Sequence, residues 1–261
     1  MIRKGGERVT QIHHERWGQG ERKVLFLHGW GCTGAMMKAA ADPLSAFARV
    51  MTLDFPGFGE SGRPPEPWGV PEYAEAVRAL LAEEDFTPCD VVAHSFGGRV
   101  AIWLASEDPD LFGKIVITGG AGLKKPQTEE ARRRSEEFKR KKAVWEKVRR
   151  IGPLSGLAGK AEERLRQRYG SADYNALDEE MRKTFVKVIG LDLGDRLPLI
   201  RQPTLLIWGD RDTETPLWMG QRMEREIPDA GLVVLEGGSH FAWLEQAGRF
   251  NAIVRQFLIG G

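Results

Sequence analysis

The sequence predicts an α/β fold in which a mostly parallel sheet is flanked by helices. Short, continuous apolar runs recur along the chain, and amphipathic segments with helical periodicity lie between them. Continuous apolar runs are typical of strands that are buried on both faces, as in a parallel sheet. Strands that alternate with helices favour right-handed βαβ units within one open sheet.

The predicted strands are the apolar runs VLFLHG at 24–29, VMTLDF at 50–55, VVAH at 91–94, KIVITGG at 114–120, TLLIWGD at 204–210 and LVVL at 232–235. The predicted helices are the amphipathic segments 71–84, 96–107, 216–227 and 246–258. The opening segment RVTQIHHERWGQG alternates apolar and polar residues before a Gly-rich turn. This period of two predicts an antiparallel edge strand.

One long stretch interrupts this alternation. From about Lys124 to Leu197 the sequence shows charge-rich helical segments and no strand pattern. Loops longer than about 15 residues are uncommon in compact domains. We therefore predict a helical cap, residues 124–197, inserted after the sixth strand into a core of residues 1–123 and 198–261.

Composition limits the classes of function. The 261 residues are 41% hydrophobic, which is ample for a core, and the net charge of +1 gives no overall attraction to nucleic acid. The two cysteines, Cys32 and Cys89, form no metal-ligand or redox pattern. The basic start lacks the apolar stretch of a signal peptide, and no apolar run approaches the roughly 20 residues that span a bilayer. We expect a cytoplasmic protein without a metal or a membrane span.

Residues that can carry chemistry follow the predicted strands, where the sites of open α/β sheets form. These segments are HGWG at 28–31, DFPGFGES at 54–61, HSFGG at 94–98, GDRD at 209–212 and GGSH at 237–240. A serine, an acid and a histidine therefore occur in this order along the chain. The dense glycine and proline of segment 54–61 indicate a structural loop.

These motifs resemble the α/β-hydrolase superfamily over essentially the whole chain, in particular its capped, cofactor-free serine hydrolases with HGxG, DxPGxGxS and HSxGG motifs. The resemblance implies the α/β-hydrolase fold, a nucleophile elbow at Ser95 and no cofactor. It also implies that His28 and His94 brace loops.

Ser95 is the predicted nucleophile. Ala93 stands where the elbow commonly has its first glycine, but alanine is small enough for close packing of strand and helix. A serine hydroxyl needs a base to take its proton and a strained turn to project it from the backbone. The alternative is a serine that only caps the following helix.

His240 is the predicted base, because it follows the last strand and leads into an apolar helix start. His13 and His14 lie on the predicted edge strand, and we expect them at the surface, far from the carboxyl ends of the strands.

Asp212 is the predicted acid, which would hold the tautomer of His240 and stabilise its imidazolium. Superfamily members commonly show G-x-x-D after this strand, and Gly209 places Asp212 at that position, which leaves Asp210 to brace the turn. Some relatives carry the acid after the strand that corresponds to 114–118. Here that end reads TGGA and has no carboxylate.

Two backbone N–H groups, of Phe96 and Trp30, are the predicted donors to an oxyanion. Phe96 follows the nucleophile and begins a helix, where N–H groups have no partner within the helix. Trp30 lies in the HGWG loop, whose glycines allow a close approach to the serine. The indole of Trp30 either walls an acyl pocket or packs in the core.

Residues 124–150 of the cap are strongly basic, with twelve Lys or Arg, five Glu and a local charge of +7, so the rest of the chain carries −6. Thr128 is the predicted start of a helix that Ile151-Gly152-Pro153 ends. One interpretation is a solvated helix face with i,i+4 ion pairs such as Glu137–Lys141. The other is a docking surface for an acidic partner, such as an acyl carrier protein or an anionic lipid surface.

The function predicted from these residues is that of a serine hydrolase that cleaves a small to medium carboxylic ester through an acyl-enzyme. Carbon–carbon bond hydrolases, perhydrolases and hydroxynitrile lyases use the same triad and remain alternatives. A receptor that binds a ligand on the same fold is a further alternative, because fold does not determine function.

Overall fold

The computed structural model describes residues 10–124, 129–149 and 177–260. The chain divides into two compact units. The larger unit consists of Met1–Leu123 and Val186–Gly261, and the second unit is Lys124–Phe185. The second boundary lies at residue 186, whereas the sequence places the end of the cap at residue 197. Leu193 and Leu197 account for this difference, because both are buried in the main hydrophobic cluster of the larger unit. The division into a core domain and a cap domain stays a prediction.

A single seven-stranded sheet forms the centre of the larger unit, in the order β1-β3-β2-β4-β5-β6-β7. Its strands are β1 (His14–Gly18), β2 (Lys23–Leu27), β3 (Arg49–Leu53), β4 (Cys89–His94), β5 (Phe112–Thr118), β6 (Thr204–Gly209) and β7 (Ala230–Leu235). β1 pairs with β3 in antiparallel orientation, and every other pair is parallel. The predicted mostly parallel sheet and its antiparallel edge strand are confirmed.

The helices of the described residues are α1 (Gly34–Ala41), α2 (Val70–Glu83), α3 (Phe96–Glu107), α4 (Glu129–Arg149), α5 (Glu179–Gly190), α6 (Trp218–Glu226), α7 (Ala242–Glu245) and α8 (Ala247–Ile259). Four of them lie within two residues of the predicted helices. Helix α1 was not predicted from the sequence, because GAMMKAAA is short and lacks a separate polar face.

The two faces of the sheet are covered by two separate hydrophobic clusters. Leu25 and Leu27 of β2 pack in the cluster that includes α2 and α3, whereas Val24 and Phe26 pack in the cluster that includes α1 and α8. Successive strand residues point to opposite faces, so a continuous apolar run supplies both clusters. This burial explains why the central strands were recognisable as unbroken apolar runs.

The cap sequence enters after β5, the fifth strand of the described residues, and not after the sixth as predicted. The insertion point near residue 124 agrees with the start of the second unit. Within that unit, Lys141 Nζ and Glu137 Oε1 form the expected ion pair. The predicted helix start at Thr128 and the predicted end at 151–153 lie outside the described residues.

The strand register brings the carboxyl ends of the six parallel strands, β2 to β7, to one edge of the sheet. Leu27 of β2 pairs with Ala93 of β4, and His94 of β4 pairs with Thr118 of β5. At the other side of β5, the last residues of β6 and β7 pair as Gly209 with Leu235. The loops that carry the candidate residues therefore start side by side. No described helix is long and apolar enough to cross a membrane.

Candidate active site

Ser95 occupies a strained turn between β4 and α3. Its φ of 50° and ψ of −107° lie in a region that residues with a Cβ rarely adopt, and its side chain makes no capping hydrogen bond to α3. The geometry therefore excludes the interpretation of Ser95 as a simple helix cap. Gly97 lets α3 approach β2, because a Cβ at this position would lie 2.4 Å from the Leu27 carbonyl oxygen. Backbone strain of this kind is typical of functional sites.

Asp212 and His240 form a buried hydrogen-bonded pair. The Nδ1 atom of His240 lies 2.8 Å from Oδ2 of Asp212, whose side chain is fully buried, whereas 14% of the His240 side chain is exposed. A carboxylate accepts hydrogen bonds, so Nδ1 carries the proton and Nε2 is left to accept another. Burial by itself raises the pKa of Asp212, but the hydrogen bond and charge of His240 and the bonds from Thr215 outweigh it, so the net pKa lies below the ordinary value.

Thr215 and Gly119 lie next to the Asp212–His240 pair, and the sequence analysis missed both. The Thr215 hydroxyl lies 2.8 Å from Asp212 Oδ2, 2.9 Å from the Gly119 carbonyl oxygen and 3.2 Å from His240 Nδ1. Gly119 follows β5 with a φ of +51°, and a Cβ there would lie 3.2 Å from both Asp212 Oδ2 and His240 Nδ1. The available signal was the polar turn GDRDTETP, since aspartate side chains often bond the backbone two or three residues further on.

Asp210 points to a different partner. Its Oδ1 atom accepts the backbone N–H of Gly237 at 2.6 Å, at an exposed position. This bond joins the loop after β6 to the loop after β7. Asp210 therefore braces the turn, in the role that the sequence analysis gave it.

His28 orients the peptide group between Gly29 and Trp30. Its Nδ1 lies 2.7 Å from the Gly29 carbonyl oxygen, and its Nε2 accepts the backbone N–H of Phe55 at 2.9 Å. The N–H of a trans peptide points opposite to its carbonyl, so the N–H of Trp30 is directed away from His28. Gly29 lies against the elbow, because a Cβ there would be 3.3 Å from the Ser95 Cβ. Burial lowers the pKa of His28 to about 4, so its ring is neutral at pH 7.

His94 is a second buried, neutral histidine beside the pair. Its Nδ1 donates to the Thr118 carbonyl oxygen at 3.1 Å, and its ring centroid lies 4.8 Å from that of His240. Burial is the largest cause that lowers the pKa of His94, followed by the charge of His240, and the pKa falls to about 3. His94 thus contributes a neutral surface next to His240, in agreement with a bracing role.

His13 lies nearer to this edge than the sequence indicated. Its Nδ1 is 3.2 Å from Oδ2 of Asp54, in the loop after β3. The expectation that His13 is far from the carboxyl ends of the strands was wrong, because β1 is antiparallel and its start lies beside the end of β3. Asp54 also accepts the backbone N–H groups of Gly34 and Glu60, so the loop at 54–61 is structural as expected.

Aromatic rings surround the loop that carries Trp30. The half-buried Trp30 ring packs edge to face on Phe58 at 4.9 Å and on Phe96 at 5.4 Å between centroids. It lies against the main hydrophobic cluster and keeps part of its surface exposed. Among the described residues, no group of three or more His, Cys, Asp or Glu is placed to hold a metal ion.

A model of the alpha/beta hydrolase family matches residues 24–253, which include Ser95, Asp212 and His240. The chain belongs to the alpha/beta hydrolase family. Both the predicted resemblance and the predicted fold are confirmed by this match.

The curated relatives of this hydrolase include enzymes of two kinds. It is 29% identical to a 2-hydroxy-6-oxononadienedioate/2-hydroxy-6-oxononatrienedioate hydrolase of Cupriavidus pinatubonensis, over 98% of this chain and 93% of the relative. It is also 29% identical to a pimeloyl-[acyl-carrier protein] methyl ester esterase of Neisseria meningitidis, over 92% of this chain and 94% of the relative. A crystal structure of a hydrolase from Pseudomonas aeruginosa superposes with a TM-score of 0.73 at 23% identity, covering 96% and 95% of the two chains. The relatives support a hydrolase and leave its substrate open.

Proposed function

We propose that this hydrolase is a serine esterase that cleaves a small to medium carboxylic ester through an acyl-enzyme. One relationship carries the proposal: the strained Ser95 elbow and the Asp212–His240 pair lie at the same edge of the sheet. His94, the residue before Ser95, lies 4.8 Å from the His240 ring between centroids. A nucleophile, a base and an orienting acid after the carboxyl ends of β4, β7 and β6 are the arrangement that acyl transfer requires.

The reaction proposed for these residues begins with attack of Ser95 Oγ on the ester carbonyl carbon, while its proton passes to Nε2 of His240. The Nδ1–H bond to Asp212 stabilises the imidazolium, and the N–H groups of Trp30 and Phe96 receive the oxyanion. His240 then gives the proton to the departing alcohol as the C–O bond breaks. Water, deprotonated by the same imidazole, then attacks the acyl carbon. The bond from that carbon to Ser95 Oγ breaks as His240 returns the proton to Oγ, and the free acid leaves.

We further propose that helix α4 docks an acidic carrier which bears the ester. Of the side chains that the structure describes there, Arg133, Arg140 and Lys147 are exposed and spaced by seven residues, so they share one helix face. Relatives named as pimeloyl-[acyl-carrier protein] methyl ester esterases support an acyl carrier protein as this partner. Ion pairs such as Glu137–Lys141 neutralise part of the charge of α4. The alternative to docking is that this face of α4 is only solvated, and the docking experiment distinguishes the two.

A second candidate function is hydrolysis of a carbon–carbon bond. It is favoured by relatives named as 2-hydroxy-6-oxononadienedioate/2-hydroxy-6-oxononatrienedioate hydrolases, at the same 29% identity as the esterase relatives. Both reactions would use Ser95 and His240, so the site geometry alone supports them equally.

The experiment that tests the proposal compares substrates and labels the nucleophile. A fluorophosphonate probe should modify Ser95, abolish hydrolysis of p-nitrophenyl esters and leave Ser95→Ala unlabelled. In parallel, the wild-type kcat/KM for p-nitrophenyl esters of graded chain length is compared with that for a 2-hydroxy-6-oxo dienoate. A much higher kcat/KM for the dienoate would favour hydrolysis of a carbon–carbon bond over hydrolysis of an ester. Labelling that persists in Ser95→Ala would contradict the assignment of Ser95 as the nucleophile.

A further inference from the structure

The carboxylate of Asp212 is held at both oxygens by one residue, Thr215. The backbone N–H of Thr215 donates to Oδ1 at 2.9 Å, and the Thr215 hydroxyl lies 2.8 Å from Oδ2. The N–H of Glu214 also donates to Oδ1 at 2.9 Å. Bonds to both oxygens restrict rotation about the Cβ–Cγ bond of Asp212, so the plane of the carboxylate is fixed.

The single proton of the Thr215 hydroxyl has two acceptors within reach, Asp212 Oδ2 at 2.8 Å and the Gly119 carbonyl oxygen at 2.9 Å. A charged acceptor forms the stronger hydrogen bond, which directs this proton mainly to the carboxylate. The Nδ1–H of His240 lies 2.8 Å from the same Oδ2 and 3.2 Å from the hydroxyl oxygen. Oδ2 therefore receives two donors at once, and the hydroxyl oxygen flanks the imidazole N–H.

Thr215 is also held through its backbone carbonyl oxygen. Its carbonyl oxygen accepts the Nε1–H of Trp208 at 2.7 Å, and Trp208 is fully buried in β6. Thr215 is 5% exposed, so water does not compete freely for its hydroxyl. A hydroxyl fixed in this way is preorganised and does not need to be ordered when the imidazolium forms.

We propose that Thr215 is a positioning residue, whose hydroxyl holds the Asp212 carboxylate in the orientation that directs His240 toward Ser95. The inference rests on the proposed function of these three residues. The Thr215 hydroxyl lies 3.2 Å from His240 Nδ1 but touches no reacting atom, and its shorter hydrogen bond, at 2.8 Å, is to the Asp212 carboxylate. Its loss should lower kcat and leave KM unchanged, because the substrate does not contact it.

The test replaces the hydroxyl without changing the shape of the side chain. In Thr215→Val, which keeps the backbone N–H, kcat for a p-nitrophenyl ester should fall roughly tenfold to a hundredfold, as expected for the loss of a hydrogen bond to a charged group. Thr215→Ser should restore kcat to within about threefold of wild type. Thr215→Ala is measured alongside, so that the comparison survives if one variant does not fold. The matched control is Thr204→Val, a threonine that is 3% exposed at the amino end of β6, where kcat should not change.

A cycle with Asp212→Asn separates positioning from a general structural effect. If Thr215 acts through the carboxylate, Thr215→Val in that background should change kcat by less than about twofold, since coupled residues are non-additive. An unchanged kcat in folded Thr215→Val, or an equal fall in both backgrounds, would overturn the inference. Full activity of Ser95→Ala would instead contradict the proposed function, so the two failures are distinguishable.

Discussion

Asp210 and Asp212 lie two residues apart in the sequence, yet they bond to different residues. Asp210 Oδ1 accepts the N–H of Gly237 at 2.6 Å near the surface, whereas Asp212 Oδ2 accepts the Nδ1–H of His240 at 2.8 Å in the interior. Of these two carboxylates, Asp212 is the one hydrogen-bonded to the imidazole.

The first prediction separates these two carboxylates. Asp212→Asn should lower kcat roughly 10³- to 10⁴-fold, because an amide does not hold the required tautomer or stabilise the imidazolium. Asp210→Asn keeps an oxygen for the Gly237 N–H and should leave kcat within about twofold. Steady-state kinetics with a p-nitrophenyl ester measures both. If the larger loss followed Asp210→Asn, the assignment of the acid would be off by two residues.

The second prediction concerns stability in acid. The pKa values of buried His28 and His94 are lowered to about 4 and about 3, against 6.5 for an ordinary histidine. Below pH 6.5 the unfolded chain binds protons that the folded chain excludes, so stability is lost as the pH falls. The free energy of unfolding should decrease by up to about 1.4 kcal/mol per pH unit for each histidine. The loss continues until the folded-state pKa is reached, near 4 for His28 and near 3 for His94.

Urea unfolding between pH 7.5 and pH 5 measures this dependence. In His94→Gln, residue 94 cannot titrate. The free energy of unfolding should therefore fall less steeply with pH below pH 6.5, by the contribution of one histidine. The lowered pKa of Asp212 acts only below its ordinary value of 3.8, outside this range. An identical slope in wild type and His94→Gln would show that His94 titrates alike in the folded and unfolded chains.

The third prediction concerns the close approach of the Trp30 loop to the elbow. A Cβ at Gly29 would lie 2.8 Å from His94 Cδ2 and 3.3 Å from the Ser95 Cβ. Gly29→Ala should therefore displace the Trp30 N–H and lower kcat roughly a hundredfold, the loss typical of one oxyanion donor. Gly231→Ala, where a Cβ meets no atom within 4 Å, is the control and should match wild type. Comparable kcat values for the two variants would show that the position of the Trp30 loop does not matter for catalysis.

The fourth prediction tests docking on helix α4. Charges on exposed groups are screened over about 10 Å at 0.1 M salt, so kcat/KM for an ester on an acyl carrier protein should fall steeply with ionic strength. Replacing Arg133, Arg140 and Lys147 together by Glu should reproduce that fall at low salt. Activity on a small neutral ester should not change, because its acyl transfer does not involve α4.

The matched control reverses three exposed charges on the larger unit, Arg201, Arg225 and Arg249, and so changes the net charge by the same amount. This triple variant should keep most of the kcat/KM on the carrier-bound ester. If the two triple variants behave alike, net charge is the cause and the surface of α4 is only a solvated face.

Much of the fold could be predicted because the central strands are buried on both faces. Val24 to Leu27 supply two clusters from one apolar run, and the short length of the run and the glycine that follows it favour a strand over a buried helix. Helix α1 escaped prediction because it is short and its buried residues are Met37 and the small residues Gly34, Ala40 and Ala41. With Lys38 as the one charged residue of GAMMKAAA, the segment shows little contrast between a polar and an apolar face.

The candidate catalytic residues could be predicted from the sequence, whereas the residues that hold them in position could not. Ser95, Asp212 and His240 stand in motifs at strand ends, and parallel strands bring such ends to one edge. The hydroxyl of Thr215 and the carbonyl of Gly119 come together only through the register of β5 and β6, which pair as Thr118 with Ile207. His13 was misplaced for the same reason, because the register of an antiparallel edge strand depends on tertiary pairing that the sequence does not display.

The central claim is that Ser95 carries the acyl group during turnover. Rapid mixing of the enzyme with a p-nitrophenyl ester, followed by acid quench, intact-mass measurement and peptide mapping, tests it most directly. We predict one acyl group per chain, located on Ser95, with a burst of p-nitrophenol of matching size, and neither signal in Ser95→Ala. Acylation of another residue, or steady turnover in Ser95→Ala at the wild-type rate, would contradict the account.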